Sequence, residues 1–298
     1  MNRSTKLLIP IVAVLALLLA SCGKSDDSST GGTDLPTYEV KAVSGLTGTP
    51  KALADAGKVT VGVKGDQPNL GFKDPTTNTY SGFDIEIAKM IAADLGIASD
   101  KITFKEIPSK NRETALANGE VDYYVGTYTI NDDRKKLVSF AGPYFLAHQD
   151  LLVRDGDDTI KSAADLDGKN VCSATGSTPI ERIKTDYPKA KTTEFDVYSK
   201  CVTALLNKQV DAVTTDDAIL AGYAAQYEGK LKLVGTTFSD EPYGVGVKLG
   251  DTALQNFVAS SLKRHEDDGD YEKAYDATLG KSGKAMPTIP KITEGTAS

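Results

Sequence analysis

The chain has no tryptophan, and its 298 residues include only two histidines and three cysteines. With His148 and His265 as the only imidazoles, a histidine-rich metal cluster or a histidine-based catalytic triad has little to draw on. Basic residues are also short: 34 against 41 acids, with no Lys/Arg cluster, which argues against a nucleic-acid partner. Neither G-x-x-x-x-G-K-[ST] nor G-x-G-x-x-G is present, so the chain is not expected to bind ATP itself. Asp155-Gly156-Asp157-Asp158 is acidic but lacks the glycine and glutamate of an EF-hand loop. No cofactor is expected. The apolar run Leu7–Ala20 falls short of the roughly 20 residues that span a membrane.

What that run has is context. Arg3 and Lys6 precede it and Leu19-Ala20-Ser21-Cys22 follows, the order of a secretory signal: basic region, apolar core, small residues before a cut. The cysteine resembles the lipobox of bacterial lipoproteins, which implies lipidation of Cys22, export and anchoring on the outer face of the cell membrane. Residues 23 to about 48 are rich in Ser, Gly, Asp and Thr and read as a flexible tether. Loss of residues 1–21 removes two bases and no acid, taking the net charge from −7 to −9. In an oxidising compartment, Cys172 and Cys201 read as one disulfide from a strand near Lys169–Ser173 to a helix starting near Ser199. Two free buried cysteines are the alternative, because sequence does not fix their distance.

The stretch Thr114–Asp122 returns as Thr203–Asp211; extended to Thr127 and Asp216, the two copies share 6 of 14 residues at an offset of 89. Each copy reads as the end of a helix, a polar turn and a strand beginning Val-Asp, and such self-similarity marks a repeated unit. Elsewhere strands alternate with helices: Lys58–Val63 has strand alternation, while Phe83, Ile87, Met90, Ile91 and Leu95 recur at helical spacing before Gly96. Strands are expected at Lys101–Ile107, Val121–Val125, Asn170–Ser173, Thr192–Val197, Val210–Thr214, Leu231–Val234 and Tyr243–Lys248, with extended segments within Ser139–Val153. Thr252–Leu279 reads as helix with a break near Asp268-Gly269. The pattern predicts an α/β fold of two similar lobes, each a sheet flanked by helices. Polar residues at the carboxyl ends of the repeated strands would face a common cleft.

Val61-Gly62-Val63, Ser81-Gly82-Phe83-Asp84, Gly119-Glu120-Val121-Asp122, Thr127–Arg134 and Ser139–Tyr144 together resemble the family 3 solute-binding proteins, extracytoplasmic receptors for polar amino acids in ATP-driven importers. The resemblance runs from about Lys58 to Leu279. Lys64–Pro68, Val171–Pro179 and Thr214-Thr215-Asp216 are similar to the glutamate-binding lipoproteins of actinobacteria. It implies a type II periplasmic-binding-protein fold with two hinge crossings, near Leu146–Leu152 and Phe238–Gly244. The expected layout is a signal peptide (1–21), tether (22–48), first lobe (49–147), second lobe (148–238), return to the first (239–282) and irregular tail (283–298). A monomer that hands its amino acid to a membrane permease is implied.

The chemistry suits such a ligand. A planar guanidinium takes a carboxylate bidentately, and Arg134, five residues after Thr129, matches the family's carboxylate-binding arginine. Thr129 would add a hydroxyl, the Thr127 carbonyl would accept from the ammonium, and the Gly176-Ser177-Thr178 turn before a helix suits an anion. Asp216 matches the ammonium-binding aspartate, with Asp217 its structural rival. For the distal group, Lys64 and the Ser109-Lys110-Asn111-Arg112 segment resemble a dicarboxylate pocket in which Ser109 and Arg112 bind a second carboxylate. Phe72, Tyr80, Gly126 and Thr175 are candidates for its lining. A dehydratase-like enzyme on the same scaffold, or a receptor signalling to a membrane kinase, are the other classes; the amino-acid clamp of Arg134 and Asp216 favours binding.

Overall fold

A computed structural model of the protein describes residues 35–282 and 285–296. The expected signal peptide, Cys22 and the first part of the tether lie outside the described residues. The strands are β1 (Val59–Val63), β2 (Asp66–Gln67), β3 (Gly71–Lys73), β4 (Tyr80–Ser81), β5 (Ile102–Glu106), β6 (Tyr123–Tyr124), β7 (Val138–Arg154), β8 (Asn170–Ala174), β9 (Lys191–Phe195), β10 (Ala212–Asp216), β11 (Leu231–Leu233) and β12 (Asp240–Lys248). The helices are α1 (Gly48–Ala56), α2 (Phe83–Asp94), α3 (Arg112–Ala117), α4 (Asp132–Lys135), α5 (Thr178–Asp186), α6 (Tyr198–Leu206), α7 (Asp217–Gln226), α8 (Thr252–Asp267) and α9 (Asp270–Ala277).

The two lobes share one plan. In the first, β1 lies between parallel β5 and β6, and β6 pairs antiparallel with β12. In the second, β8 lies between parallel β9 and β10, and β10 pairs antiparallel with β7. The repeated Val-Asp accounts for the match. The Thr60 backbone N–H donates to Asp122 Oδ2 at 2.7 Å, and the Asn170 N–H donates to Asp211 Oδ2 at 2.7 Å. Each aspartate thus fixes the entry of its lobe's central strand.

The 17-residue β7 holds both lobes: it pairs with β12 from Val138 to His148 and with β10 from Gln149 to Leu152. The extended segments expected within Ser139–Val153 form one continuous strand, whose neighbour changes midway. β12 begins at Asp240, opposite His148, rather than at Tyr243, so the two crossings lie side by side. β6 is shorter than the expected Val121–Val125, with β1 and β12 bonded to only two of its residues. The Asp268-Gly269 break is present: Gly269 sits at φ 77 between α8 and α9.

Helix α2 is buried almost throughout, with Phe83, Ile87, Met90 and Ile91 in the core beside Val61 and Val63. The α8 helix packs on it as well, so that even Asp84, Glu86 and Asp94 are buried. A free tether reaching residue 48 is not what the fold shows. Tyr38 Oη donates to Glu86 Oε2 at 3.0 Å, the Lys41 and Val43 N–H groups donate to the Ala93 and Asp94 carbonyls, and α1 begins at Gly48. Residues 285–296 carry no helix or strand, and the Thr293 and Glu294 N–H groups both donate to the Gly142 carbonyl at 2.8 Å. Cys172 and Cys201 are bonded, with Cα atoms 5.5 Å apart, tying β8 to α6.

Candidate functional site

The first lobe assembles its polar groups from three loops at the carboxyl ends of β1, β5 and β6. Lys64 follows β1 directly, and its Nζ donates to Ser109 Oγ at 2.7 Å. Arg112 opens α3 and turns back so that Nε donates to the Ser109 carbonyl at 2.9 Å. Arg134 is placed by its helix cap: Asn131 Oδ1 accepts from the Arg134 backbone N–H at 2.9 Å. Its Nη1 then donates to the Thr129 carbonyl at 2.7 Å. Thr127 sits at φ 47, a strained conformation for a β-branched residue. Buried Asp84 holds it there, accepting from the Thr127 N–H at 3.0 Å and from Tyr144 Oη at 2.7 Å. Burial pushes the Asp84 carboxyl up to about 6 despite those donors.

Three cations are thereby buried: Lys64, Arg112 and Arg134 are 5%, 2% and 8% exposed. The two guanidinium carbons lie 4.2 and 5.1 Å from the centre of the Tyr128 ring, within cation–π reach, which offsets part of their mutual repulsion. Both arginines also donate to the Gly176 carbonyl of the second lobe at 3.3 Å. Among the described residues acidic compensation is thin: Glu113 Oε1, 3.8 Å from Arg134 Nε, accepts from Tyr128 Oη, and Asp66 favours the charged form of Lys64. Burial, and then the charge of Arg112, lowers the Lys64 ammonium to about 7 and Arg134 to about 10.

The second lobe offers the opposite charge. Asp216 ends β10 and is 3% exposed; its Oδ2 accepts from Tyr243 Oη at 2.6 Å, while Oδ1 has no hydrogen-bond partner. Burial, and then the neighbouring carboxylate of Glu241, raises Asp216 well above the ordinary aspartate range. Thr215 Oγ1 and Glu241 Oε2 are also buried without a partner. Asp217 is otherwise engaged, with Oδ1 accepting from the His148 and Ala218 N–H groups. Ser177 caps α5, accepting from the Ile180 N–H at 3.3 Å, and Thr178 Oγ1 lies 3.3 Å from Thr129 Oγ1 across the cleft. The mouth is bordered by Asn131, Arg134, Gly176, Thr178, Glu181 and Arg182.

Lys64, Ser109, Arg112, Thr127, Thr129, Arg134, Ser177, Thr178 and Asp216 are thus gathered around one interlobe cleft. Two expected lining residues are not. Tyr80 Oη donates to Glu106 Oε1 at 3.0 Å and its ring packs on Phe104 and Lys73. Phe72 borders a different groove, with Leu35, Gln226 and Lys281. Both lie on the small β2–β4 sheet, on opposite faces, since Phe72 is paired with Ser81 and Tyr80 with Lys73. The Thr175 hydroxyl donates to the Phe195 carbonyl at 3.4 Å. Gly126 leaves room for Tyr124, whose Oη would lie 2.8 Å from an added Cβ. Sequence reading missed Gln67, whose Nε2 donates to Thr127 Oγ1, and also Glu113, Tyr128, Glu241 and Tyr243. Gln67 and Tyr128 stand in motifs quoted above, as does Asp84, which was likewise given no role; only long-range contacts reveal Glu113, Glu241 and Tyr243. A clamp with cations on one lobe and a carboxylate with a free oxygen on the other can hold a zwitterion bearing a further negative charge.

The comparisons agree with this architecture. The model of bacterial extracellular solute-binding proteins, family 3, matches residues 59–281. The glutamate-binding protein GluB of Corynebacterium efficiens is 40% identical over 285 residues, covering 92% of this chain and 90% of that protein. The ABC transporter glutamine-binding protein GlnH of Bacillus subtilis is 41% identical over 269 residues, covering 90% and 93%. Among solved structures, an ancestral arginine-binding protein bound to glutamine has a TM-score of 0.71 at 38% identity, covering 75% of this chain and 98% of that one. A two-lobed fold, a shared cleft and a family match over most of the described chain lead to one conclusion: this protein belongs to the bacterial extracellular solute-binding proteins, family 3.

Proposed function

We propose that the protein is a receptor that binds one acidic amino acid, L-glutamate ahead of L-aspartate or L-glutamine, in the interlobe cleft and delivers it to an ATP-driven importer. The observation that carries this reading is the charge arrangement: three buried cations with little acidic compensation opposite a buried carboxylate with a free oxygen. A buried charge without a partner is costly, so such a cleft favours a ligand that supplies two negative groups and one ammonium. Arg134, Thr129, Ser177 and Thr178 would take the α-carboxylate, Asp216 and the Thr127 carbonyl the ammonium, and Lys64, Ser109 and Arg112 the side-chain carboxylate. The relatives named for glutamate and glutamine binding support this ligand class. The lipid on Cys22 would hold the receptor at the outer face of the cell membrane beside its permease, acting as a monomer. Calorimetric titration with the twenty amino acids tests it: glutamate should bind most tightly, and a preference for an uncharged or cationic amino acid would overturn the dicarboxylate assignment.

A further inference from the structure

The lobes also meet outside the cleft. Asp66, on β2 of the first lobe, accepts from the backbone N–H of Ser199 at 2.9 Å. Tyr223 Oη lies 3.2 Å from Asp66 Oδ2 and also donates to the Asp66 carbonyl. Ser199 is the second residue of α6 and Tyr223 lies on α7, both in the second lobe. Helix α6 has no cap of its own: Val197 holds the N-cap position with suitable extended geometry, φ −136 and ψ 150, but its side chain has no acceptor. No acidic residue stands in the first turn either. The first N–H groups of a helix need acceptors and carry partial positive charge, so an aspartate is well suited to them. Close approach is permitted by Gly222, where an added Cβ would stand 2.6 Å from the Pro68 carbonyl oxygen.

We propose that Asp66 and Tyr223 form a latch by which the first lobe caps a helix of the second, so that α6 is completed by closure itself. The inference rests on the cleft closing over its ligand, as read above, but involves none of the groups assigned to ligand contact. Its bonds require the lobes to be together, so they stabilise the closed form relative to the open one. The latch therefore acts on ligand release and little on encounter.

Stopped-flow binding and calorimetry on the full chain, comparing wild type with Asp66→Asn and Tyr223→Phe, test this. The probe is whichever of the twenty amino acids the wild-type protein holds most tightly, so failure of glutamate to bind would count against the proposed ligand and leave the latch test standing. The dissociation rate should rise about five- to tenfold in each variant, the scale of a lost helix cap, with association changed less than about twofold. Asp66 also supports the protonated form of Lys64, and Tyr223→Phe leaves that charge in place, so an effect in both variants assigns the change to the latch. Val197→Asn gives α6 a cap in open and closed forms alike; it should raise the melting temperature without slowing release. Unchanged dissociation in both Asp66→Asn and Tyr223→Phe, or a loss confined to association, overturns the proposal.

Discussion

Tyr243 donates from Oη to Asp216 Oδ2 at 2.6 Å, while its backbone bridges to Thr129. The crossing strand β12 thus links a carboxylate of the second lobe to the loop that positions Arg134 in the first. It satisfies one oxygen of Asp216 and leaves the other without a partner.

That orphaned oxygen makes binding and stability pull against each other at Asp216. Removing a buried, partly unsatisfied carboxylate should stabilise the protein, so Asp216→Asn is expected to raise the unfolding free energy by about 1–2 kcal/mol. The same change should abolish binding of any α-amino acid. Thermal unfolding and calorimetry on one sample read both; a destabilised variant with intact affinity would contradict the assignment.

Proton linkage follows with a definite sign. Asp216 is held well above its unfolded value, so the folded protein binds its proton more readily and this group's contribution to stability falls as pH rises through the folded value. An ammonium beside it favours the carboxylate, so ligand binding should release a proton. Titrations of the wild-type protein at one pH in buffers of differing ionisation enthalpy should show that release; a binding enthalpy independent of the buffer would contradict it.

Arg134 has a carbonyl on each terminal nitrogen, yet a guanidinium carries five N–H donors, which leaves enough for a carboxylate. Arg134→Ala should lose about 3 kcal/mol or more of binding, beyond detection at micromolar ligand. Arg134→Lys should not restore it, because an ammonium lacks the planar fork. Near-native affinity in Arg134→Ala would remove this residue from the site.

Selectivity should depend on pH through Lys64, whose ammonium is lowered to about 7 by burial and by Arg112. Below that value Lys64 is charged and favours a second carboxylate. The ratio of glutamate to glutamine affinity should therefore rise as pH falls from 8 to 6, while effects on the shared ammonium cancel. A ratio independent of pH, or unchanged in Lys64→Met, would separate Lys64 from the distal carboxylate.

Closure should be visible in solution. The two lobes touch through Thr129–Thr178, the arginine bonds to Gly176 and the Lys110–Asp196 ion pair at 2.6 Å, contacts that an opened cleft would break. Small-angle scattering with saturating glutamate should give a smaller radius of gyration than without it. An equal radius, with binding confirmed in the same sample, would count against hinge closure.

The local part of this protein was legible in the residues. The repeat ending in Asp122 and Asp211 announced two similar lobes, because the same short-range helix, turn and Val-Asp entry was written twice. Arg134 and Asp216 stood out because they match the pattern of the family that the chain resembles, and Ser177 because a Gly-Ser-Thr turn before a helix suits an anion. Strand limits were less legible: β7 runs unbroken because β12 and β10 flank it in turn, and neither is near it in sequence. Tyr80 and Phe72 were misplaced for the same reason, since Glu106 beside one and Leu35, Gln226 and Lys281 beside the other are far from them in sequence. The pairing of Cys172 with Cys201, the Tyr243–Asp216 bond and the reach of Asp66 to Ser199 join residues 29, 27 and 133 positions apart. Sequence set which groups were available and where each local element would begin. Tertiary packing decided which charges lost their water, and so which became costly enough to need a partner.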